Sequence, residues 1–129
     1  MILCIDDEEL GLRVRTIVLE RAGYQVAAAL DGLRGLNLFV SQPVDLVVLD
    51  YFMPEMHGGQ VAVEMRRLRP EIPIILLSAY LNLPSEITRT VDCTILKGDG
   101  PEVLLGKVRE LLSERNLSNL DAGAGFEGS

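Results

Sequence analysis

Aromatic side chains are scarce in this sequence: tryptophan is absent, and only 5% of the 129 residues are aromatic, so we expect an aliphatic core. The two cysteines, Cys4 and Cys93, lie in apolar runs without metal-ligand spacing, which indicates buried thiols rather than a disulfide or a metal site. Twelve basic residues against 19 acidic ones give a net charge of −7. That charge argues against sequence-independent binding to nucleic acid and against attraction to anionic membranes.

Long hydrophobic runs are also missing, and no stretch approaches the length of a membrane span. The N-terminus has no cationic segment before its apolar residues, so we predict no signal peptide and a cytoplasmic protein. Hydrophobic residues nevertheless make up 48% of the chain, enough for one domain with a proper core. We predict this domain over residues 1–116. The remainder, 117–129 ("LSNLDAGAGFEGS"), reads as a flexible tail, and no output domain is expected after it.

Hydrophobic periodicity predicts five strands alternating with five helices. The strands are expected at 2–5, 24–29, 44–49, 72–77 and 93–96. The helices are expected to begin near 10, 33, 61, 84 and 101, and the buried face of the first one is predicted to carry Leu10, Val14, Ile17 and Val18. Such alternation is typical of an α/β fold with a parallel sheet, helices on both faces and right-handed crossovers.

A basic cluster, Arg66, Arg67 and Arg69, ends the third predicted helix. Cations at a helix C-terminus complement the helix dipole. In a chain this acidic, we interpret the cluster as a helix end rather than a nucleic-acid patch.

Polar side chains follow four of the predicted strands. These residues are Asp6 and Asp7 after the first strand, Asp50 after the third, Ser78 after the fourth and Lys97 after the fifth. Because the carboxyl ends of parallel strands share one edge of the sheet, we expect these side chains to meet there. Clustered carboxylates suit Mg²⁺, and Lys97 with such an ion could neutralise a phosphoryl group. Asp50 would then be a carboxylate nucleophile, with Ser78 donating a hydrogen bond.

Taken singly, each of these residues has a plainer interpretation. The acidic run could favour a helix N-terminus through the dipole, and Asp50 could begin a loop as an Asx residue. Ser78 and Lys97 could be ordinary polar residues. Because all of these residues directly follow predicted strands, a shared functional site is favoured over the separate interpretations.

The same residues resemble the receiver domain of two-component response regulators. The matching segments are the acidic pair after "ILCI", Asp50 within "VVLDYFMPEMHGG", Ser78 within "LLSA" and Lys97 after "TIL". The resemblance covers residues 1–116. It implies a doubly wound, flavodoxin-like (βα)5 fold with strand order 2-1-3-4-5.

For the site, the resemblance implies that Asp50 is the phosphoacceptor. Mg²⁺ would be bound by Asp7, Asp50 and the backbone carbonyl of Phe52, with Asp6 acting through a water molecule. Ser78 and Lys97 would bind the phosphoryl oxygens.

For function, the resemblance implies a signalling switch rather than an enzyme that turns over other substrates. The donor would be a histidine kinase or a phosphotransfer protein. The partner that reads the change would be a separate effector or a second copy of the chain, docking on the fourth helix, fifth strand and fifth helix. Direct contact with nucleic acid or membrane is not expected.

The sequence departs from the family pattern at three positions. Gly98 stands where proline usually follows the lysine, and Thr94 stands where an aromatic residue usually acts as a rotamer switch. His57 stands where Asp or Asn often caps the third helix, and we interpret it as a capping or surface residue. Two aromatic residues, Phe52 and Tyr80, are expected to flank the phosphoryl group and to slow its hydrolysis.

Three other functions compete with this interpretation. Gly98 and Thr94 leave open a pseudo-receiver, which binds partners without being phosphorylated. A phosphatase of the haloacid-dehalogenase type would need its two acids in a D-x-D spacing, whereas Asp6 and Asp7 are adjacent. A flavodoxin-like carrier would need a phosphate-binding glycine loop after the first strand.

Overall fold

The computed structural model describes the backbone of residues 1–127 and the side chains of residues 1–117. One sheet of five strands forms its centre. The strands are β1 (Ile2–Ile5), β2 (Val26–Ala29), β3 (Leu46–Asp50), β4 (Ile74–Ser78) and β5 (Cys93–Leu96). Their order is β2-β1-β3-β4-β5, and every neighbouring pair is parallel. The predicted doubly wound topology is therefore confirmed.

Five helices cover both faces of the sheet. They are α1 (Glu9–Arg21), α2 (Gly32–Ser41), α3 (Gly58–Leu68), α4 (Ser85–Thr90) and α5 (Pro101–Glu127). α1 and α5 pack on one face, and α2, α3 and α4 on the other. Among the residues that the structure describes, no helix is both long and apolar enough to cross a membrane. The cytoplasmic location stays a prediction.

Alternate residues of the strands supply two separate cores, as the two-residue period of a strand requires. In β1, Leu3 and Ile5 face the side of α2 and α3, whereas Ile2 and Cys4 face α1 and α5. Both cysteines are free, Cys4 being buried and Cys93 half-buried. Burial raises the pKa of the Cys4 thiol to about 12, so this side chain acts as a small hydrophobe, as predicted.

The buried face of α1 differs from the prediction. Three apolar residues predicted to be buried lie in solvent: Leu10, Val14 and Ile17. The residues that pack inward are Leu12 and Leu19, and Arg15 lies between them on the same side of the helix. On this side Arg15 pairs with the buried Asp6, a contact that the hydrophobic pattern of α1 alone does not show.

The C-terminal helix is longer than predicted. α5 continues to Glu127, whereas the composition of residues 117–129 predicts a tail; residues 128 and 129 lie outside the described range. Proline is absent after Pro101, and the glycines at 123 and 125 cost a helix only about 1 kcal/mol each. The domain boundary at residue 116 stays a prediction.

Arg66, in the basic cluster at the end of α3, binds backbone carbonyl groups. Its guanidinium donates to Thr90 O at 2.7 Å, Pro70 O at 2.9 Å and Ile72 O at 3.0 Å. It also forms an ion pair with Asp92, whose carboxylate accepts from the backbone near the start of β4. These contacts connect the end of α3 to the segment before β5, in agreement with a structural role for the cluster.

Candidate functional site

The parallel register places the ends of four strands at the same edge of the sheet. Ile5 lies opposite Leu49 in the β1–β3 pair, and Ser78 lies opposite Leu96 in the β4–β5 pair. Lys97, the residue after β5, donates its backbone N–H to the Ser78 carbonyl at 2.8 Å. Asp50 and Ser78 are the last residues of their strands rather than the first residues beyond them, so rigid backbone holds both.

Three carboxylates converge at this edge. Asp6, Asp7 and Asp50 each offer a ligand oxygen, and these oxygens lie within 4.8 Å of one another. Asp6 and Asp50 are each only 1% exposed, whereas Asp7 is exposed. Neither side-chain oxygen of Asp50 accepts a hydrogen bond from the described residues. A buried carboxylate without hydrogen bonds requires a cation nearby. Lys97 supplies one charge, and the three converging carboxylate oxygens also fit a divalent ion.

Lys97 reaches the carboxylates despite the glycine that follows it. Its Nζ lies 2.8 Å from Asp50 Oδ1, as an ion pair outside hydrogen-bond angles, and 3.5 Å from Asp6 Oδ2. The described residues contain no cis peptide bond. Gly98 therefore does not divert the lysine, because the hydrogen bond between Lys97 N and Ser78 O already fixes its backbone.

The electrostatic balance at Asp50 is unfavourable to its charged form. Burial raises the pKa of the Asp50 carboxyl, and the charge of Asp7 raises it further. Lys97 and Arg15 lower this pKa without cancelling the effect of burial. In the absence of a further cation, folding therefore disfavours the carboxylate that is predicted to react.

Arg15 is part of the site, although neither the motifs nor the strand ends in the sequence point to it. Its Nη2 donates to Asp6 Oδ2, while the backbone N–H of Glu8 donates to Asp6 Oδ1 at 2.9 Å. Gly11 leaves room for the guanidinium, because a Cβ there would lie 3.3 Å from Nη2. The only signal in the sequence is the spacing of Arg15 from Leu12 and Leu19, which places it on the inward side of a helix.

Ser78 lies at the predicted edge, but its hydroxyl is engaged within its own loop. The hydroxyl accepts from Tyr80 N at 2.9 Å and donates to Tyr80 O at 3.1 Å. A hydroxyl has a single proton to donate. Ser78 can therefore donate to another oxygen only after it releases the Tyr80 carbonyl, and its predicted role stays a prediction.

A cavity of about 530 Å³ opens over Asp50. It is lined by Asp7, Glu8, Asp50, Phe52, Ala79, Tyr80 and Lys97. Phe52 and Tyr80 are 72% and 58% exposed at its rim, so both rings are free to cover a group bound to Asp50. Thr94 is exposed on β5, and no aromatic side chain occupies that position. The predicted use of the Phe52 carbonyl as a metal ligand stays a prediction.

The loop from β3 to α3 holds the end of the strand in place. Gly58 N donates to Tyr51 O at 2.7 Å, and a Cβ on Gly58 would lie 2.4 Å from the Asp50 carbonyl oxygen. His57 caps α3: its Nδ1 accepts from Gln60 N at 3.3 Å, and Gln60 Oε1 accepts from His57 N at 3.1 Å. The capping interpretation of His57 is confirmed.

Comparison with known sequences adds to this geometry. The response regulator receiver domain family matches residues 2–104. The probable transcriptional regulator ycf27 of Porphyridium aerugineum is 35% identical over 128 residues, covering 92% of this chain and 53% of the relative. The DNA-binding dual master transcriptional regulator RpaA of Synechocystis is 34% identical over 116 residues, covering 86% and 48%. The chain thus spans about half the length of these curated relatives.

Solved structures give the same result. A CheY-like response regulator receiver domain protein from Methanospirillum hungatei superposes with a TM-score of 0.84 at 29% identity, covering 91% of this chain and 96% of the other. The response regulator TrrA from Thermotoga maritima, solved in complex with Mg²⁺-BeF, has a TM-score of 0.81 at 34% identity, covering 85% and 96%.

Proposed function

Since the chain belongs to the response regulator receiver domain family of two-component signalling, we propose that it is a switch operated by phosphorylation of Asp50. The observation that supports this most is the state of the Asp50 carboxylate. It is buried and without hydrogen bonds, and the Lys97 ammonium lies 2.8 Å away. A nucleophile held in this way has an oxygen available for a new bond and a cation beside it to receive negative charge.

The phosphoryl group would come from a phosphohistidine of a histidine kinase or phosphotransfer protein. An Asp50 oxygen forms the new O–P bond while the P–N bond of the donor breaks, and the imidazole leaves with the electron pair. Lys97 then binds a phosphoryl oxygen, and Ser78 donates to another once it has released Tyr80. A bound Mg²⁺, held by Asp7, Asp50 and the Phe52 carbonyl with Asp6 acting through water, would supply further charge neutralisation.

The structural change follows from the contacts that phosphorylation competes with. The modification adds a charge of about −2 at the end of β3. Lys97 contacts Asp50 and Asp6, and Ser78 contacts Tyr80, so both side chains must change partners to reach the new oxygens. The loops after β4 and β5 move with them. The face formed by α4, β5 and α5 is therefore the surface that a separate effector or a second copy of the chain would read.

A single mass measurement tests this proposal. We expect a small acyl phosphate or phosphoramidate donor to add one phosphoryl group to the protein in the presence of Mg²⁺ and none in the presence of EDTA, with peptide mapping placing it on Asp50. Absence of any adduct with Mg²⁺ would instead support a pseudo-receiver. Repeated turnover of a generic phosphatase substrate would support an enzyme.

Phe52 and Tyr80 are predicted to protect the phosphoryl group from water. The substitutions Phe52→Asn and Tyr80→Ala should each shorten the lifetime of the adduct about 3- to 10-fold, because roughly 1 kcal/mol of barrier corresponds to that change in rate. Intact mass spectrometry after removal of the donor gives the lifetime. Val40→Asn, at an equally exposed apolar residue near the end of α2, serves as the control and should leave the lifetime unchanged. Equal lifetimes in all four proteins would exclude the shielding role.

A further inference from the structure

Both side-chain oxygens of Asp6 already have partners within the chain, which distinguishes it from the other two carboxylates of the site. Its Oδ1 accepts from the Glu8 backbone, and its Oδ2 faces both the Arg15 guanidinium and the Lys97 ammonium. Asp6 is 1% exposed, and the Arg15 side chain is 18% exposed, so this is a largely buried ion pair. The oxygen that Asp6 would use to hold water around a metal ion is therefore already bound to an arginine.

We propose that Arg15 competes with the divalent cation for Asp6. Metal binding displaces the guanidinium from Asp6 Oδ2. The free energy needed to break this ion pair lowers the affinity of the chain for Mg²⁺. This inference rests on the proposed function, because it takes Asp6 to be part of the Mg²⁺ site.

The charges of the site support competition rather than cooperation. The three carboxylates are accompanied by two cations, Lys97 and Arg15, which leaves one negative charge in excess. An incoming divalent ion is attracted by the carboxylates but repelled by any cation held at ion-pair distance from them, and this repulsion is weakly screened in a buried site. A chain without Arg15 would present the ion with one more unneutralised carboxylate.

The local sequence of α1 makes room for both positions of the guanidinium. Gly11 weakens the helix relative to alanine, yet it provides the space that Arg15 occupies beside Asp6. Arg15 also lines a cavity of about 360 Å³ between α1 and the loop that precedes α5. Glu8 and Asp99 line the same cavity and offer carboxylates to a displaced guanidinium.

Titration with MgCl₂ in an isothermal calorimeter tests the proposal. We expect Arg15→Gln and Arg15→Met to bind Mg²⁺ roughly 10- to 100-fold more tightly than the wild-type chain, the range for changes to groups that contact metal ligands. Arg15→Met keeps an apolar stem in the cavity. Arg13→Gln is the matched control, because Arg13 is exposed on the same helix and forms no ion pair within the described residues. It should change the affinity less than about twofold.

A second measurement on the unmodified chain does not depend on the folding of a variant. Saturation with Mg²⁺ should shift the side-chain Nε–H resonance of Arg15 in a ¹H–¹⁵N spectrum, and the Arg13 resonance should stay in place. Asp7→Asn provides the reference for loss of the ion.

The outcomes separate the two proposals. If Asp7→Asn abolishes Mg²⁺ binding while the Arg15 variants bind it no more tightly than the wild type, competition is wrong and the metal-dependent switch stands. If the Arg15 resonance does not shift in saturating Mg²⁺, displacement of the guanidinium from Asp6 is also excluded. If neither the wild type nor any variant binds Mg²⁺, both proposals fail together.

Discussion

Replacing Asp50 with asparagine is expected to stabilise the metal-free protein and, in the same step, to abolish its phosphorylation. Asparagine keeps the shape of the side chain but removes a buried charge that nothing within the described residues satisfies by hydrogen bonding. The ion pair with Lys97 is lost, but the Lys97 side chain is 29% exposed and stays 3.5 Å from Asp6 Oδ2, so its charge is not left without a partner. The substitution also removes the penalty of about 1–3 kcal/mol for a buried group without hydrogen bonds. We expect a gain of about 1–2 kcal/mol in the free energy of unfolding with EDTA present, and no phosphoryl adduct in the mass spectrum.

The pH dependence of this gain has a definite sign. Burial raises the pKa of Asp50 on folding, so between the unfolded and the folded pKa the native state holds more protons than the unfolded state. The contribution of Asp50 to stability is therefore fully present below its pKa in the unfolded chain, about 3.9. It is lost as pH rises through the pKa of Asp50 in the folded protein. The difference between Asp50→Asn and the wild type should be small near pH 4 and largest at neutral pH.

Denaturant unfolding from pH 4 to pH 7.5, with EDTA and then with Mg²⁺, measures these effects. Mg²⁺ should raise the melting temperature of the wild type more than that of Asp50→Asn, because a ligand that binds the folded state stabilises it. Glu20→Gln removes one exposed acid from α1 and controls for the change in net charge; it should alter stability by less than about 0.5 kcal/mol. If Asp50→Asn proves less stable than the wild type in EDTA, the ion pair with Lys97 outweighs the cost of burying the Asp50 charge, and this account of the site is wrong.

The positions of the strand ends could be predicted from the sequence because two independent patterns agree there. Apolar runs such as 2–5 define a strand, and the polar residue that follows each run marks where it leaves the core. In a parallel sheet all such residues share one edge. The convergence of Asp6, Asp50 and Lys97 therefore required no knowledge of distances, and the structure places them within ion-pair reach.

The face of α1 could not be predicted in this way. A hydrophobic pattern assigns Leu10, Val14 and Ile17 to the core and any arginine to solvent. The inward position of Arg15 depends on a partner, Asp6, in a different element. A buried acid such as Asp6 needs a cation, and Arg15 supplies it from the side of the helix that also buries Leu12 and Leu19. Only the tertiary structure shows which cation is close enough.

The orientation of Ser78 was unpredictable for a related reason. Its place at the end of β4 follows from the apolar run before it, but the direction of its hydroxyl depends on the backbone of Tyr80. A serine hydroxyl can form its hydrogen bonds either with the backbone of its own turn or with a distant ligand. The sequence therefore predicts which groups reach the site and leaves their hydrogen bonds undetermined.

Gly58→Ala is expected to destabilise the protein by about 3 kcal/mol, at the upper end of the range for overpacking. The added Cβ would lie 2.4 Å from the Asp50 carbonyl oxygen and 2.8 Å from Tyr51 Cα. Both are backbone atoms, so no change of rotamer relieves the overlap. The start of α3 must move away from the end of β3, and the hydrogen bond from Gly58 N to Tyr51 O lengthens with it. Because Asp50 ends that strand, the rate of adduct formation should fall together with the denaturation midpoint.

Gly98→Ala provides the matched control, since it adds the same methyl group beside the same site. A Cβ on Gly98 meets no atom within 4 Å, and its φ lies outside the left-handed region. Alanine there reduces the conformational freedom of the unfolded chain and should raise stability by about 0.4–1 kcal/mol. Lys97 keeps its backbone bond to Ser78, so phosphoryl uptake should be retained. If both alanine variants unfold at the wild-type midpoint, close contact between α3 and β3 does not hold Asp50 in position. If Gly98→Ala alone loses the adduct, Lys97 depends on the glycine that follows it rather than on β4.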